Sequence, residues 1–370
     1  MRTFGIEEEF QFLEPKALRP ADVGAEAFRR LTSLDAWREV THREFLASQV
    51  EHASRVFDRL DVAEHALAGF RRLVARIAAD LGVVVGGTGT PPDTTPFPSV
   101  ADVDRYRSIV REMDGIIADH QLSGLHVHVG IPDRESGVVV LNAVRPWLPL
   151  LTAITANSPL WRGHDTGYDS WRTVLLRRWT TSGAPPAFVD AADYDRRTSK
   201  LLGIGGTVDL AVIMWDVRIS AHLPTVELRM GDAQLDADTT LFVAALCRAF
   251  VAHALERSDA AHAAAADSAR MPAELLSAAQ LHAAHSGMRG SVFDPITAGM
   301  QSAGETLTGF FRMLEASLAA TGDLERAGEA LDRMLVDGTG AGRQRAAFER
   351  GGTLGLRRLY DGTIAGGQVD

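Results

Sequence analysis

Apolar and polar residues alternate with period two in several short stretches of this chain, the pattern of strands with one face buried and the other free. From Thr3 to Leu13, Phe4, Ile6, Phe10 and Phe12 share one face and Glu7, Glu9 and Gln11 the other, with Glu8 the exception on the apolar side. From Leu125 to Val129 the alternation leaves His126 and His128 projecting in parallel. From Pro224 to Met230, Val226, Leu228 and Met230 alternate with Thr225, Glu227 and Arg229. A preceding strand is predicted to begin at Trp215 to Arg218, with Asp216 and Arg218 on its polar face.

Three-four spacing of apolar positions predicts helices at Val103 to Ile117, Val138 to Ala156 and Thr239 to Arg257. Gly86 to Pro98, rich in glycine and proline, reads as a loop between a strand and the first of these helices. From about residue 259 the chain is alanine-rich and helical in flavour, with breaks at Asp337 to Gly342 and Gly351 to Gly355 and no strong strand signal. Strands gathered in the first part, without regular strand-helix alternation, predict an α+β fold around a mainly antiparallel sheet. We expect a single catalytic domain over residues 1–370, sheet-bearing to about 250 and helical cover from about 259.

Composition narrows the class. Hydrophobic residues make up 46% and charged residues 23%, which is ordinary globular usage. A net charge of -10 without a basic run argues against nucleic-acid partners. The most apolar stretch, Leu241 to Leu255, is interrupted by Arg248 and His253 and reads as a buried helix rather than a membrane span. No export signal is read at the start, and the single cysteine, Cys247, rules out an intramolecular disulfide, so a cytoplasmic setting is expected.

The polar strand faces carry the chemistry. Glu7 and Glu9 stand about 7 Å apart by strand rise, where two ionised carboxylates repel by roughly 2 to 3 kcal/mol at an effective dielectric near 20. A bound cation reverses that penalty, whereas a solvated outer face leaves it small. Paired imidazoles such as His126 and His128 are a recurrent metal-ligand arrangement. Glu227 with Arg229 is either a cross-strand ion pair or a metal ligand beside an anion-binding arginine. Together these side chains make a set that Mg²⁺ and substrate phosphates use.

An ordered series of motifs then resembles one family. Phe4-Gly5-Ile6-Glu7-Glu8-Glu9-Phe10, Ser48-Gln49-Val50-Glu51, Arg105-Tyr106, Gly124-Leu125-His126-Val127-His128-Val129-Gly130, the run from Ala156 to Gly167 continuing to Ser170 and Arg172, Trp215-Asp216-Val217-Arg218, and Leu223 to Met230 with Asp232 are similar to the glutamate-cysteine ligase type 2, or carboxylate-amine ligase, family. The resemblance implies a curved, glutamine synthetase-like antiparallel sheet with helices on its outer face and ATP and metal on its concave face. It implies that Glu7, Glu9, Glu51, His128 and Glu227 hold Mg²⁺ or Mn²⁺ and that Arg229 and Arg218 meet the transferring phosphate. It also implies that His126, Asn157 and Arg172 hold the carboxylate substrate, and that catalysis rests on Arg229 and Glu227.

The implied reaction is ATP-dependent coupling of glutamate to the amine of cysteine through an acyl phosphate, with small-molecule partners, no membrane, and a homodimer left open. Two departures stand out: Ser123, where the family often has cysteine, and Gln280 to Met288, where it commonly shows an Asn- and Arg-rich segment. The residues alone leave two rivals, a metal-dependent amide hydrolase using the same His and Glu ligands and a non-catalytic nucleotide or metal sensor. A Gly-x-x-x-x-Gly-Lys-Ser/Thr loop is absent from the sequence.

Overall fold

Ten residues of unbroken strand, β1 (Phe4–Leu13), form the axis of the sheet. In the computed structural model, which describes residues 2–257 and 271–366, β1 pairs with β3 (Gln49–Ala53), β4 (Val84–Gly86) and β5 (Gly124–Gly130), and β2 (Thr41–Arg43) pairs with β3 beyond it. A small ribbon, β6 (Leu160–Trp161) with β7 (His164–Asp165), follows outside the sheet. The sheet is completed by β8 (Val217–Ile219) and β9 (Thr225–Asp232), giving the order β2-β3-β1-β5-β9-β8 with all pairings antiparallel.

The apolar half of the alternation builds the core. Phe4 and Ile6 of β1, Val127 and Val129 of β5, and Val226, Leu228 and Met230 of β9 pack against helices Leu60–Asp80, Arg134–Val144 and Ala237–Glu256. At roughly 25 cal/mol per Å² of apolar surface this burial fixes the register, because a one-residue slip would send Glu7, Glu9, His126, His128 and Glu227 into the core. The stretch Leu241 to Leu255 lies inside one such helix. By length and composition Arg134–Ile154 and Ala237–Glu256 could cross a membrane, but 83% and 72% of their apolar windows are buried inside the protein, as core helices are.

Helix Asp104–Met113 sits where Val103 to Ile117 predicted one, and runs on into a 3₁₀ turn. The helix expected over Val138 to Ala156 is broken: Arg134–Val144 ends before Pro146, and a new helix, Leu148–Ile154, restarts with Pro149 in its first turn. Proline supplies no N–H to continue a helix but fits its first turn. The C-terminal part holds the helices Ala273–Ser286, Ala303–Thr321, Leu324–Asp337 and Gly340–Ile364. Gly338 and Gly352, with φ of 71° and 57°, mark the two predicted breaks.

One correction applies there. A hairpin of β10 (Ser291–Asp294) and β11 (Gly299–Ser302) interrupts the helices. Its four-residue strands are too short for an alternation to show. The expected onset of the helical cover at about 259 lies outside the described residues. Phe310 and Leu314 of the cover join the same core as the sheet, so helices line the face opposite Glu7 and Glu9.

Candidate active site

Register brings the polar residues of five strands into rows. Glu51 stands opposite Glu9 across β3 and β1, Glu7 opposite His126 across β1 and β5, and Glu227 is flanked by His128 and Arg218 across β5, β9 and β8. Between Leu125 and Val127 the pairing with β9 shifts, so that Arg229 and Met230 face His126 alone. Such a bulge re-aims a side chain, and here the amide of Arg229 bonds the Asp216 carbonyl at 2.7 Å. Glu7, Glu9, Glu51, His126, His128, Arg172, Arg218, Glu227 and Arg229 all line one cleft of about 350 Å³.

Within it, His126 Nδ1 lies 2.8 Å and His128 Nε2 3.1 Å from the two oxygens of Glu7, and His128 Nδ1 lies 2.9 Å from the Thr225 hydroxyl. Glu9 accepts the backbone N–H of Gly124 at 2.7 Å. Arg218 donates to both oxygens of Glu227, at 2.7 and 3.2 Å, and its remaining nitrogen is held by the carbonyls of Ala211 and Ile213. Arg229 donates to Glu227 as well. Among the described residues, donor atoms of Glu7, His126 and Glu227 lie within 4.8 Å of one another, close enough for one metal ion. Sequence reasoning set His126 among the substrate contacts; the geometry groups it with Glu7 and Glu227.

Burial works to raise the carboxyl of Glu7, but the hydrogen bonds and charges of His126 and His128 outweigh it and hold it well below the usual range. Burial likewise opposes ionisation of Glu227, and Arg229 and then Arg218 override it. His126 is pushed down by burial and by Arg229, favouring the neutral imidazole that binds metals. Glu51 goes the other way, raised well above its ordinary value by burial and by Glu7, Glu44 and Glu9.

Two candidates, Asn157 and the cleft-lining Arg172, make their hydrogen bonds away from these acids. Asn157 is fully buried outside the cleft lining; its amide donates to the carbonyls of Gly87 and Ala233, at 2.8 and 2.6 Å, and its oxygen accepts from Gln344. It ties loops together rather than facing substrate. Arg172 is no surface helix residue: only 5% exposed, it donates to the carbonyls of Met230 and Arg229 from a short helix, Trp171–Leu176, that Ser170 caps. Asp232 accepts from the Ser158 and Ser170 hydroxyls and from the backbone N–H of Asn157 behind it.

Sequence reasoning missed Glu44, in the turn after β2, whose carboxyl is pushed up to about 8 by burial and by Glu9. No alternation marks so short a strand end. It also missed the apolar wall of the cleft, where Phe45, Ile109, Leu176 and Trp179 form a separate small cluster; only Arg105-Tyr106 had pointed there.

The sequence profile of glutamate-cysteine ligase family 2 matches residues 3–362. A relative from Saccharopolyspora erythraea, named "Putative glutamate--cysteine ligase 2-2", is 36% identical over 370 residues, covering 100% of this chain and 94% of its own. One from Salinispora tropica, named "Putative glutamate--cysteine ligase 2", is 38% identical over 351 residues, covering 95% and 91%. Among solved structures, the glutamate–cysteine ligase of Francisella tularensis in complex with AMP superposes with a TM-score of 0.63 at 12% identity, covering 99% of this chain and 89% of that one. A bifunctional glutathione synthetase from Pasteurella multocida gives 0.67 at 14% identity, and this chain spans about half (52%) of it; at such identities the likeness is one of fold. With a whole-length profile match and relatives above one-third identity, the chain belongs to glutamate-cysteine ligase family 2.

Proposed function

We propose that this ligase uses ATP to phosphorylate the side-chain carboxylate of glutamate and couples it to the amine of cysteine, in the cytoplasm, with the described chain acting as one catalytic unit around its shared core. The observation that carries this reading is the row of Glu7, His126, His128 and Glu227, with Arg218 and Arg229 closing on Glu227 from one side. A carboxylate is a poor acyl donor. Its oxygen takes the terminal phosphoryl group of ATP as ADP leaves; the amine then attacks the acyl carbon, phosphate departs with that oxygen, and the amine's protons pass to solvent. Neither step requires a side-chain nucleophile, and both require charge neutralisation and alignment.

The donor set fits a divalent metal: ionised Glu7 and Glu227, a neutral imidazole, and the further carboxylates Glu9 and Glu51 on the same face. Oxygen-rich ligands suit Mg²⁺, and the imidazoles admit Mn²⁺ as well. Once bound, the metal supplies charge neutralisation along the phosphate chain. In this reading Arg229 and Arg218 turn from Glu227 toward the transferring phosphate. Arg172, set deeper, faces the carboxylate substrate, while Asn157 supports the loops.

ADP release by the purified protein with ATP and Mg²⁺, across a panel of amino acids and amines, tests this reading, with Glu227→Gln as control. Glutamate-dependent release that rises with cysteine and is lost in the control is expected. Metal-dependent amide hydrolysis without any ADP would replace the ligase reading by a hydrolase.

A further inference from the structure

One ring in the apolar wall of the cleft has a fixed direction. His120 ends the 3₁₀ turn that follows helix Asp104–Met113, and it lines the cleft together with Phe45, Ile109, Leu122, Leu176 and Trp179. Its imidazole stands edge-on to two of these side chains, with ring centroids 5.7 Å from Phe45 and 4.9 Å from Trp179. The Trp179 indole N–H donates to His120 Nδ1 at 3.1 Å. An indole nitrogen donates and never accepts, so Nδ1 is the bare nitrogen of the ring and the proton sits on Nε2. Among the described residues no hydrogen-bond partner meets Nε2, and the fold does not seal it from solvent. Burial, and then the charges of Arg172 and Arg178, push the imidazole down to about 3. The cleft wall therefore presents one uncharged, oriented and unspent N–H.

We infer that His120 determines specificity for the amine substrate: its Nε2–H donates to a carboxylate oxygen of an α-amino acid whose side chain lies on the surrounding apolar wall. The inference rests on the ligase reading above. In that reading the metal and the phosphates are served by charged side chains of β1, β3, β5, β8 and β9, and Arg172 by the carboxylate that is phosphorylated. Phe45, Ile109, Leu122, Leu176 and Trp179 lie off those strands and carry no charge. What they suit is an apolar group with one hydrogen-bond acceptor beside it. Cysteine has that make-up, a small apolar side chain next to a carboxylate, with its amine left for attack on the acyl carbon. A donor already fixed by the indole needs no reorientation when the oxygen arrives. Being neutral, it also adds no cation that would draw phosphate away from Arg218 and Arg229.

The test pairs each amino acid with its counterpart lacking the carboxylate. ADP release with ATP, Mg²⁺ and glutamate is measured with cysteine or cysteamine, and with alanine or ethylamine, in wild type, His120→Phe and Trp179→Phe. In the wild type the amino acid of a pair is expected to have a KM about tenfold or more below that of the bare amine, as a hydrogen bond to a charged group gives. His120→Phe should abolish that difference by raising the amino acid's KM, with the KM values for ATP and glutamate held to within about twofold. Trp179→Phe keeps the aromatic packing and the imidazole but frees the tautomer, and should raise the amino acid's KM by a smaller factor; it carries the test if His120→Phe does not fold. Nitrogen-15 NMR of the histidine rings is expected to show the Nε2–H tautomer for His120 in the wild type. Equal KM values for amino acid and bare amine in the wild type, no stimulation by either amino acid, or a rise in the KM for ATP instead would overturn the inference and leave the ligase reading standing. So would a proton on Nδ1. A wild-type protein that releases no ADP with any acid removes the ligase reading and the inference with it.

Discussion

Glu7, Glu8 and Glu9 are chemically equivalent neighbours on one strand, yet the two faces of the sheet treat them in opposite ways. Glu8, on the helix-covered face, is 2% exposed and gripped by both ends of the Arg71 guanidinium, while the Thr240 hydroxyl donates to it at 2.7 Å. Arg71 spends its other N–H groups on the carbonyls of Leu235 and Gln234. Both charges of this pair are answered within the protein. On the cleft face five carboxylates, Glu7, Glu9, Glu44, Glu51 and Glu227, outnumber Arg105, Arg172, Arg218 and Arg229, and Glu44 and Glu51 are pushed up by burial and by the neighbouring carboxylates. A closed network fixes the structure, whereas surplus charge of one sign is tolerated only where something from outside completes it.

The sharpest way to break the comparison is to neutralise one acid on the cleft face. Glu7→Gln keeps the shape of the side chain and removes a charge that both imidazoles address. ADP release should fall at least about a thousandfold, ~4 kcal/mol of transition-state stabilisation, with only a modest drop in thermal midpoint from the weakened bonds to His126 and His128. A variant that turns over normally and melts early would make Glu7 a structural acid like Glu8. The opposite pattern is expected of Arg71→Met, which leaves Glu8 buried without its partner. Stability should drop by about 3 kcal/mol or more, measured by denaturant unfolding, and the fraction that remains folded should turn over normally.

Much of this contrast was legible in the residues, and the limits of legibility are physical. Period two placed Glu7 and Glu9 opposite Glu8, and His126 and His128 together, because alternation survives wherever a strand has one buried face. Glu8 even stood out as a charge on the apolar face, the mark of a residue that must find a buried partner. That partner, Arg71, sits 63 positions away, on a helix whose spacing carries no trace of the pairing. Glu44 and the hairpin β10–β11 stayed hidden because their strands run only three and four residues. The bonds of Asn157 were hidden for a related reason: its neighbours match a motif, but only the folded loops show that its side-chain amide donates to Gly87 and Ala233.

If the cleft face is completed by a cation, adding one should stabilise the protein without changing its fold. Titration with Mg²⁺ or Mn²⁺ should raise the thermal midpoint by the equivalent of ~2.7 kcal/mol at a hundredfold excess over Kd. Glu51→Gln, which removes one of the acids that the others push up, should weaken that response and leave the metal-free midpoint at or above the wild-type value. An equal response in both proteins would take Glu51 out of the cation's reach and narrow the candidate ligands to Glu7, His126 and Glu227.

The smallest effect belongs to the covered face. His52, paired opposite Glu8 in β3, is 1% exposed and stacked on Phe70 with ring centroids 4.2 Å apart; its Nδ1 makes no hydrogen bond. Burial, with a smaller contribution from Arg71, pushes its imidazole down to about 4 from 6.5, against the pull of Glu8. Above pH 6.5 the ring is neutral in both folded and unfolded chains and adds no pH dependence. As pH falls from there, the unfolded chain takes up a proton that the folded one refuses, so stability declines until about pH 4. At pH 5 the loss amounts to ~2 kcal/mol. His52→Leu should remove that part of the slope, so that its stability relative to wild type improves by about this amount between pH 7.5 and pH 5 in denaturant melts. Parallel slopes in the two proteins would mean that His52 gains a proton partner on the covered face, and that this face is less completely closed than its contacts indicate.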